Sequence, residues 1–158
     1  MPILVMGSQF ADDPEAQEKV NAALIEWAQQ RMPHRVEWGP SRAIGVLQNK
    51  AMLAVVIYSR METMPHGNML EMSIAAASPD WCRRGVLRAL FHYPFVQLNC
   101  VRLHARIGRK NKRARRLVEG LGFRLEGMGR KAYDGRQDAA VYSLLRHECR
   151  WISQETRP

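Results

Sequence analysis

Residues 68–77 carry alternating side chains, so that Glu71 and Ser73 share one face of an expected strand while Leu70, Met72 and Ile74 take the other. A carboxylate so placed has two ordinary uses. It takes a proton from a nucleophile, or it pairs with one of the chain's many arginines. Further on, Arg83, Arg84 and Arg88 surround Gly85 at the start of an expected helix. Unpaired backbone N–H groups and the positive dipole end make such a start a ready anion site. A second basic run, Lys110, Lys112, Arg113, Arg115 and Arg116, surrounds and follows Asn111, a good helix cap. Together these groups suit a chemistry in which an anion is gripped and a proton moved. A solvated basic face or a nucleic-acid contact is the plainer use of the arginines.

The elements that must position these residues can be read in order. Residues 2–6 form a short strand, and Asp13 caps a helix that has Pro14 at its first position. Val20, Ala23, Leu24, Trp27 and Met32 lie along one side of that helix at helical spacing, which assigns them to a core. Residues 33–42 are a loop or a broken short helix. Strands at 43–48 and 51–60 join through Asn49-Lys50, and 61–67 is a second loop. After the strand at 68–77, Pro79 and Asp80 start a helix at 81–93 that stops at Pro94. A strand at 100–107, a helix at 110–121 and strands at 123–133 and 138–146 complete the chain, with Asp134-Gly135 at the last hairpin turn. The order predicts an α/β fold, one mixed β-sheet flanked by helices, in a single domain over 1–158.

The stretch from Asn111 to Phe123, NKRARRLVEGLGF, has Asn111, Arg113, Ala114, Leu117, Glu119 and a closing Leu121-Gly122-Phe123 at fixed spacing. It resembles the end of the acyl-CoA-binding motif of the GNAT N-acetyltransferases. The tail EGMGRKAYDGRQDAAVYSLLRHECRW is similar to the ends of ribosomal-protein-type and antibiotic-type members. The resemblance implies a GNAT-like sheet, acetyl-CoA as co-substrate, and direct attack by a primary amine. It places the pyrophosphate on Arg83, Arg84, Gly85 and Val86, although Cys82 and Leu87 depart from the family loop. Asn111 would meet the pantetheine arm, Arg113 and Arg116 the adenosine phosphate, and Ile74, Ala75 and Ala76 the thioester. Glu71 would be the general base, with Ser73 on its face. Backbone N–H groups near Ala75 and Ala76 would hold the oxyanion. Val118 stands where many members have a tyrosine, leaving Tyr142, Ser143 or water as proton donor to the thiolate.

Composition bounds the partners. The net charge of +9 attracts anions, and its basic half, from residue 83 onward, coincides with the proposed cofactor half. Cys82, Cys100 and Cys149 are odd in number and widely spaced, and the five histidines form no ligand pair, so neither a disulfide framework nor a metal site is expected. No segment has the length of a signal core or membrane span, and a cytoplasmic protein is expected. Nucleic acid is a possible but less favoured partner, and a CoA-binding module without turnover is the remaining alternative. Acceptor specificity is expected in 7–16, 33–42 and 61–67. The oligomeric state stays open.

Overall fold

A computed structural model describes residues 1–10 and 12–154. Seven strands form one mixed sheet: β1 (Ile3–Met6), β2 (Ser41–Gln48), β3 (Ala51–Met64), β4 (Gly67–Ala76), β5 (Cys100–Gly108), β6 (Arg124–Gly129) and β7 (Ala139–Leu145). They hydrogen-bond in the order β1-β2-β3-β4-β5-β7-β6. β4 and β5 run parallel, whereas β1–β2, β2–β3, β5–β7 and β6–β7 are antiparallel. The helices are α1 (Pro14–Gln29), α2 (Arg84–His92) and α3 (Lys112–Leu121).

The chain divides into two compact units, one of Met1–Arg60 with Met72–Leu90, the other of Met61–Glu71 with Phe91 onward. In the first, α1 begins as expected, with the Asp13 carboxylate accepting from the Ala16 N–H and Pro14 in the first turn. Leu24 and Ala28 pack with Trp38, Ala43, Val55, Ile57 and Ala75. Ala23, expected on this side, is exposed, and buried Asn21 takes the inner position. Its amide donates to the Ser41 carbonyl and accepts from the Ala43 N–H, a polar bridge that apolar periodicity does not reveal. Asn49 and Lys50 both have positive φ, 51° and 63°, which suits a two-residue hairpin turn.

The structure corrects three of the expected elements. Residues 61–67 are no loop: β3 continues to Met64, and only Pro65-His66 turn before β4. Helix 81–93 is instead a short 3-10 turn at Pro79–Trp81 followed by α2, and Pro94 does not end it. The helical chain runs on through a single π turn at Tyr93–Gln97 with Pro94 inside it, and the Leu90 carbonyl, four residues before Pro94, accepts instead from the Tyr58 hydroxyl at 2.7 Å. The last hairpin is wider than predicted because β6 ends at Gly129. Asp134 and Gly135 then turn within a longer connection, the Asp134 carboxylate accepting from the N–H groups of Arg136 and Gln137.

The start of β4 is pinned tightly. The Asn68 N–H donates to the Asn99 carbonyl and its side-chain amide to the Leu98 carbonyl, at 3.0 and 2.8 Å. Gly67 sits at φ +129°, and a Cβ there would collide with the Val101 side chain. Replacing Gly67 by Ala should therefore lower the unfolding free energy by about 2–4 kcal/mol, through backbone strain and overpacking together. Urea denaturation measures this, and an unchanged midpoint would mean that β4 enters the sheet without the close approach.

Candidate active site

The parallel ladder pairs Asn68 with Cys100, Met69 with Arg102, Leu70 with Leu103 and Glu71 with His104. There it ends, while β4 itself runs on to Ala76 and β5 to Gly108. On β5 the face that carries His104 also carries Arg102 and Arg106, by period two. β7 brings Ser143 opposite His104. A polar row crosses the sheet of this unit at that level. Glu71 is 5% exposed, and its Oε1 accepts from Arg106 Nε at 3.1 Å. The other oxygen lies 3.7 Å from His104 Nε2, while His104 Nδ1 is buried without a hydrogen-bond partner. At the far end Arg102 grips Glu126 with both terminal nitrogens, and Ser143 hydrogen-bonds the same carboxylate. That carboxyl is held below its ordinary range, first by the Arg102 hydrogen bonds. Its contribution to stability is present at neutral pH and is lost as pH falls through the carboxylate range.

Tyr142 and Ser143 are consecutive on β7 and therefore point to opposite faces. Tyr142 is fully buried on the α3 side. Its hydroxyl accepts from Arg115 Nε at 2.9 Å and donates to Glu119 Oε1 at 2.7 Å, and burial raises its pKa above the ordinary phenol value. Arg115 also donates to the Arg109 carbonyl. It is a structural residue of this network, not the solvated charge that a basic run suggests. Val118 lies in the core under α3, beside Leu121. Asn111 caps α3, its side chain accepting from the Ala114 N–H at 3.1 Å, and Gly122, at φ 108°, closes the helix. Lys112, Arg113 and Arg116 are exposed.

The remaining expected residues lie in the first unit. Ser73 accepts a long hydrogen bond, 3.5 Å, from Trp38 Nε1, and of the residues after it Ile74 is half-buried, Ala75 buried and Ala76 exposed. Arg83, Arg84 and Gly85 are exposed at the start of α2, whereas the Val86 side chain points into the protein, so that only its amide can serve a ligand there. A Cβ on Gly85 would meet nothing within 4 Å. A groove of about 420 Å³ between α1 and Gly39–Arg42, lined among others by Glu18, Asn21 and Glu26, contains none of the expected site residues. Burial raises all three thiols, Cys100 to about 11, which leaves none activated as a nucleophile. Among the described residues no three of His, Cys, Asp and Glu are grouped to hold a metal, and no helix is long and apolar enough to cross a membrane.

No protein-family model matches the sequence, and no curated protein matches it significantly. Solved structures do. A ribosomal-protein-S5-alanine acetyltransferase from Vibrio fischeri aligns over 99% of this chain and 94% of its own, at TM-score 0.60 and 14% identity. A chimera of spermidine N-acetyltransferase SpeG from Vibrio cholerae and hSSAT aligns over 91% and 95%, at TM-score 0.58 and 18% identity. A GNAT-family acetyltransferase from Bacillus anthracis aligns over 67% of each chain, at TM-score 0.52 and 18% identity. The fold is that of the GNAT acetyltransferases. Within this GNAT fold, Glu71, Arg106 and His104 meet in one polar row, while Tyr142 stands on the opposite sheet face. The sequence reading missed His104 and Arg106. Their signal was the alternation Arg102, His104, Arg106 in a strand whose other face is apolar.

The two arginine classes should separate in a stability measurement. Arg115→Ala strips the Tyr142 hydroxyl of a charged donor and should cost about 1–3 kcal/mol. Lys112→Ala, at an exposed position, should stay within about 0.5 kcal/mol of the parent chain. Thermal or urea unfolding of both variants checks this.

Proposed function

We propose that the chain is an N-acetyltransferase that moves an acetyl group from acetyl-CoA to a primary amine by direct attack. The observation that carries this reading is a buried carboxylate, Glu71, at the last pair of the β4–β5 ladder in a GNAT fold. Acetyl-CoA supplies an activated thioester carbonyl. The amine must reach it without its extra proton, and Glu71 is the group that receives that proton, directly or through water. Backbone N–H groups at Ala75 and Ala76 serve the negative charge that develops on the carbonyl oxygen. Ile74 lies on the same stretch beside the acyl group. Ser73, on the Glu71 side of β4, is a polar neighbour of the incoming amine.

The residues at the two helix starts fit a ligand of this kind. Gly85 has no packing reason to lack a side chain, because the space before it is open, and a helical glycine costs about 1 kcal/mol against alanine. Close approach of a phosphate to the first-turn amides of α2 gives that glycine a purpose, with Arg83 and Arg84 adding charge. Arg113 and Arg116, exposed on the first turns of α3, are suited to a further phosphate, and Asn111 can cap α3 while it meets the pantetheine arm. The Tyr142 hydroxyl is committed to Glu119, so solvent protonates the departing thiolate. The names of the neighbouring structures, an alanine of ribosomal protein S5 and spermidine among their acceptors, favour an aliphatic primary amine as the class of substrate.

A nucleic-acid reading would draw on the same basic run, but Arg109 lies near Asp138 and Arg115 is engaged by Tyr142, leaving fewer charges for a polymer. Acetyl-CoA-dependent acetylation of an amine panel, followed by mass spectrometry, tests the proposal. Glu71→Gln should lower the amine-dependent rate about 10²–10⁴-fold. Its acetyl-CoA affinity by calorimetry should remain within about threefold of the parent, because a base acts on the amine and touches CoA little. Gly85→Leu should do the reverse, weakening acetyl-CoA binding while the fold stays intact. Turnover unchanged in Glu71→Gln would leave that carboxylate with an ion-pair role alone.

A further inference from the structure

The acyl-transfer reading gives Glu71 a proton to take and leaves two physical difficulties. A carboxylate must be held in one orientation to accept a proton, and an ammonium beside a lone carboxylate is stabilised in its charged form. Arg106 answers both. Its guanidinium reaches in two directions from β5: Nε donates to Glu71 Oε1 at 3.1 Å, and Nη1 donates to the Ala132 carbonyl at 3.4 Å. The first contact anchors the Oε1 oxygen of the carboxylate. The second ties the guanidinium to the connection between β6 and β7, which is itself ordered: Lys131 N–H donates to the Asp138 carboxylate, and Gln137 accepts from the Lys110 N–H.

The charge of Arg106 acts on the amine as well. A cation brought to Glu71 also arrives beside Arg106, and like charges disfavour the protonated amine. The other groups facing this position are His104 and Arg102 on β5, Ser143 on β7 and Glu126 on β6. Glu126 is already gripped by Arg102, so it does not offset Arg106. We infer that Arg106 is a positioning residue of the transfer reaction, orienting the Glu71 carboxylate and disfavouring a second positive charge beside it. The inference rests on the acetyltransferase reading.

Its test uses the full chain with acetyl-CoA and the best amine of the panel, comparing Arg106→Gln, Arg106→Lys and the parent across pH. Arg106→Gln should lower kcat/KM for the amine about 10²-fold through loss of orientation, with KM for acetyl-CoA unchanged. The rising limb of its pH profile should move to higher pH by about one unit or more, since both Glu71 and the amine lose a neighbouring cation. Arg106→Lys keeps the charge without the fork, and should hold the limb near the parent position while kcat/KM stays reduced. Added guanidinium should restore part of the rate to an Arg106→Ala variant. Thermal unfolding separates these effects from misfolding. A parent chain that turns over while Arg106→Gln keeps the parent pH limb would overturn the inference alone. A parent chain with no acetyl transfer would remove the acetyltransferase reading and the inference with it.

Discussion

The parallel pairing of β4 with β5 is the constraint on which the site depends. A parallel pair requires the chain to leave and return by a long connection, and here that connection contains α2 and the π turn. The register is then fixed at one end by Gly67 and Asn68, which hold β4 against Leu98, Asn99 and Val101. At the fourth residue pair the register brings Glu71 beside His104. A slip of one residue would turn Glu71 to the opposite face, among Leu70, Leu103 and the Tyr142 side of the sheet. The buried carboxylate is tolerated because that register also delivers Arg106 to it.

The two sheet faces of this unit divide the work. On one, Val118, Leu121, Phe123 and Tyr142 are buried with Leu103 and Leu144, and Phe91 stacks with Phe95 and lies tilted to Phe123. The Tyr142 hydroxyl, placed between Arg115 and Glu119, ties the last inner strand to α3. On the other face, alternate residues of the same strands carry charge in a nearly continuous row. A strand that is apolar on one side and ionic on the other is stable only where each ion has a partner, and Arg102–Glu126 and Arg106–Glu71 meet that condition. His104, between them, keeps its buried Nδ1 without a hydrogen-bond partner.

Much of this was legible in the residues themselves. The helix from Asn111 to Gly122, its cap and its left-handed close follow from local chemistry, and so does α1 with Asp13 and Pro14. Glu71 stands out as a carboxylate in an alternating strand. What could not be read is the register: nothing near Glu71 in sequence indicates that Arg106, thirty-five positions away, will hold it. The same holds for Arg115, one basic residue among several until Tyr142 is placed against it. The π turn hid Pro94, because proline normally argues for a helix end and here falls inside a continuing helical stretch, where the Leu90 carbonyl takes its hydrogen bond from the Tyr58 hydroxyl. Asn21 was hidden for a related reason, since a buried polar bridge interrupts the apolar pattern that marks a core.

The central claim is that the end of the β4–β5 ladder marks the acyl-transfer site. Hydrogen exchange followed by mass spectrometry, with and without saturating acetyl-CoA, tests it most directly. The account predicts slowed exchange in peptides covering Ile74–Ala76 and the first turn of α2, and separately around Asn111–Ala114. Slowed exchange confined to α1 and the Gly39–Arg42 groove, or none at all, would contradict it.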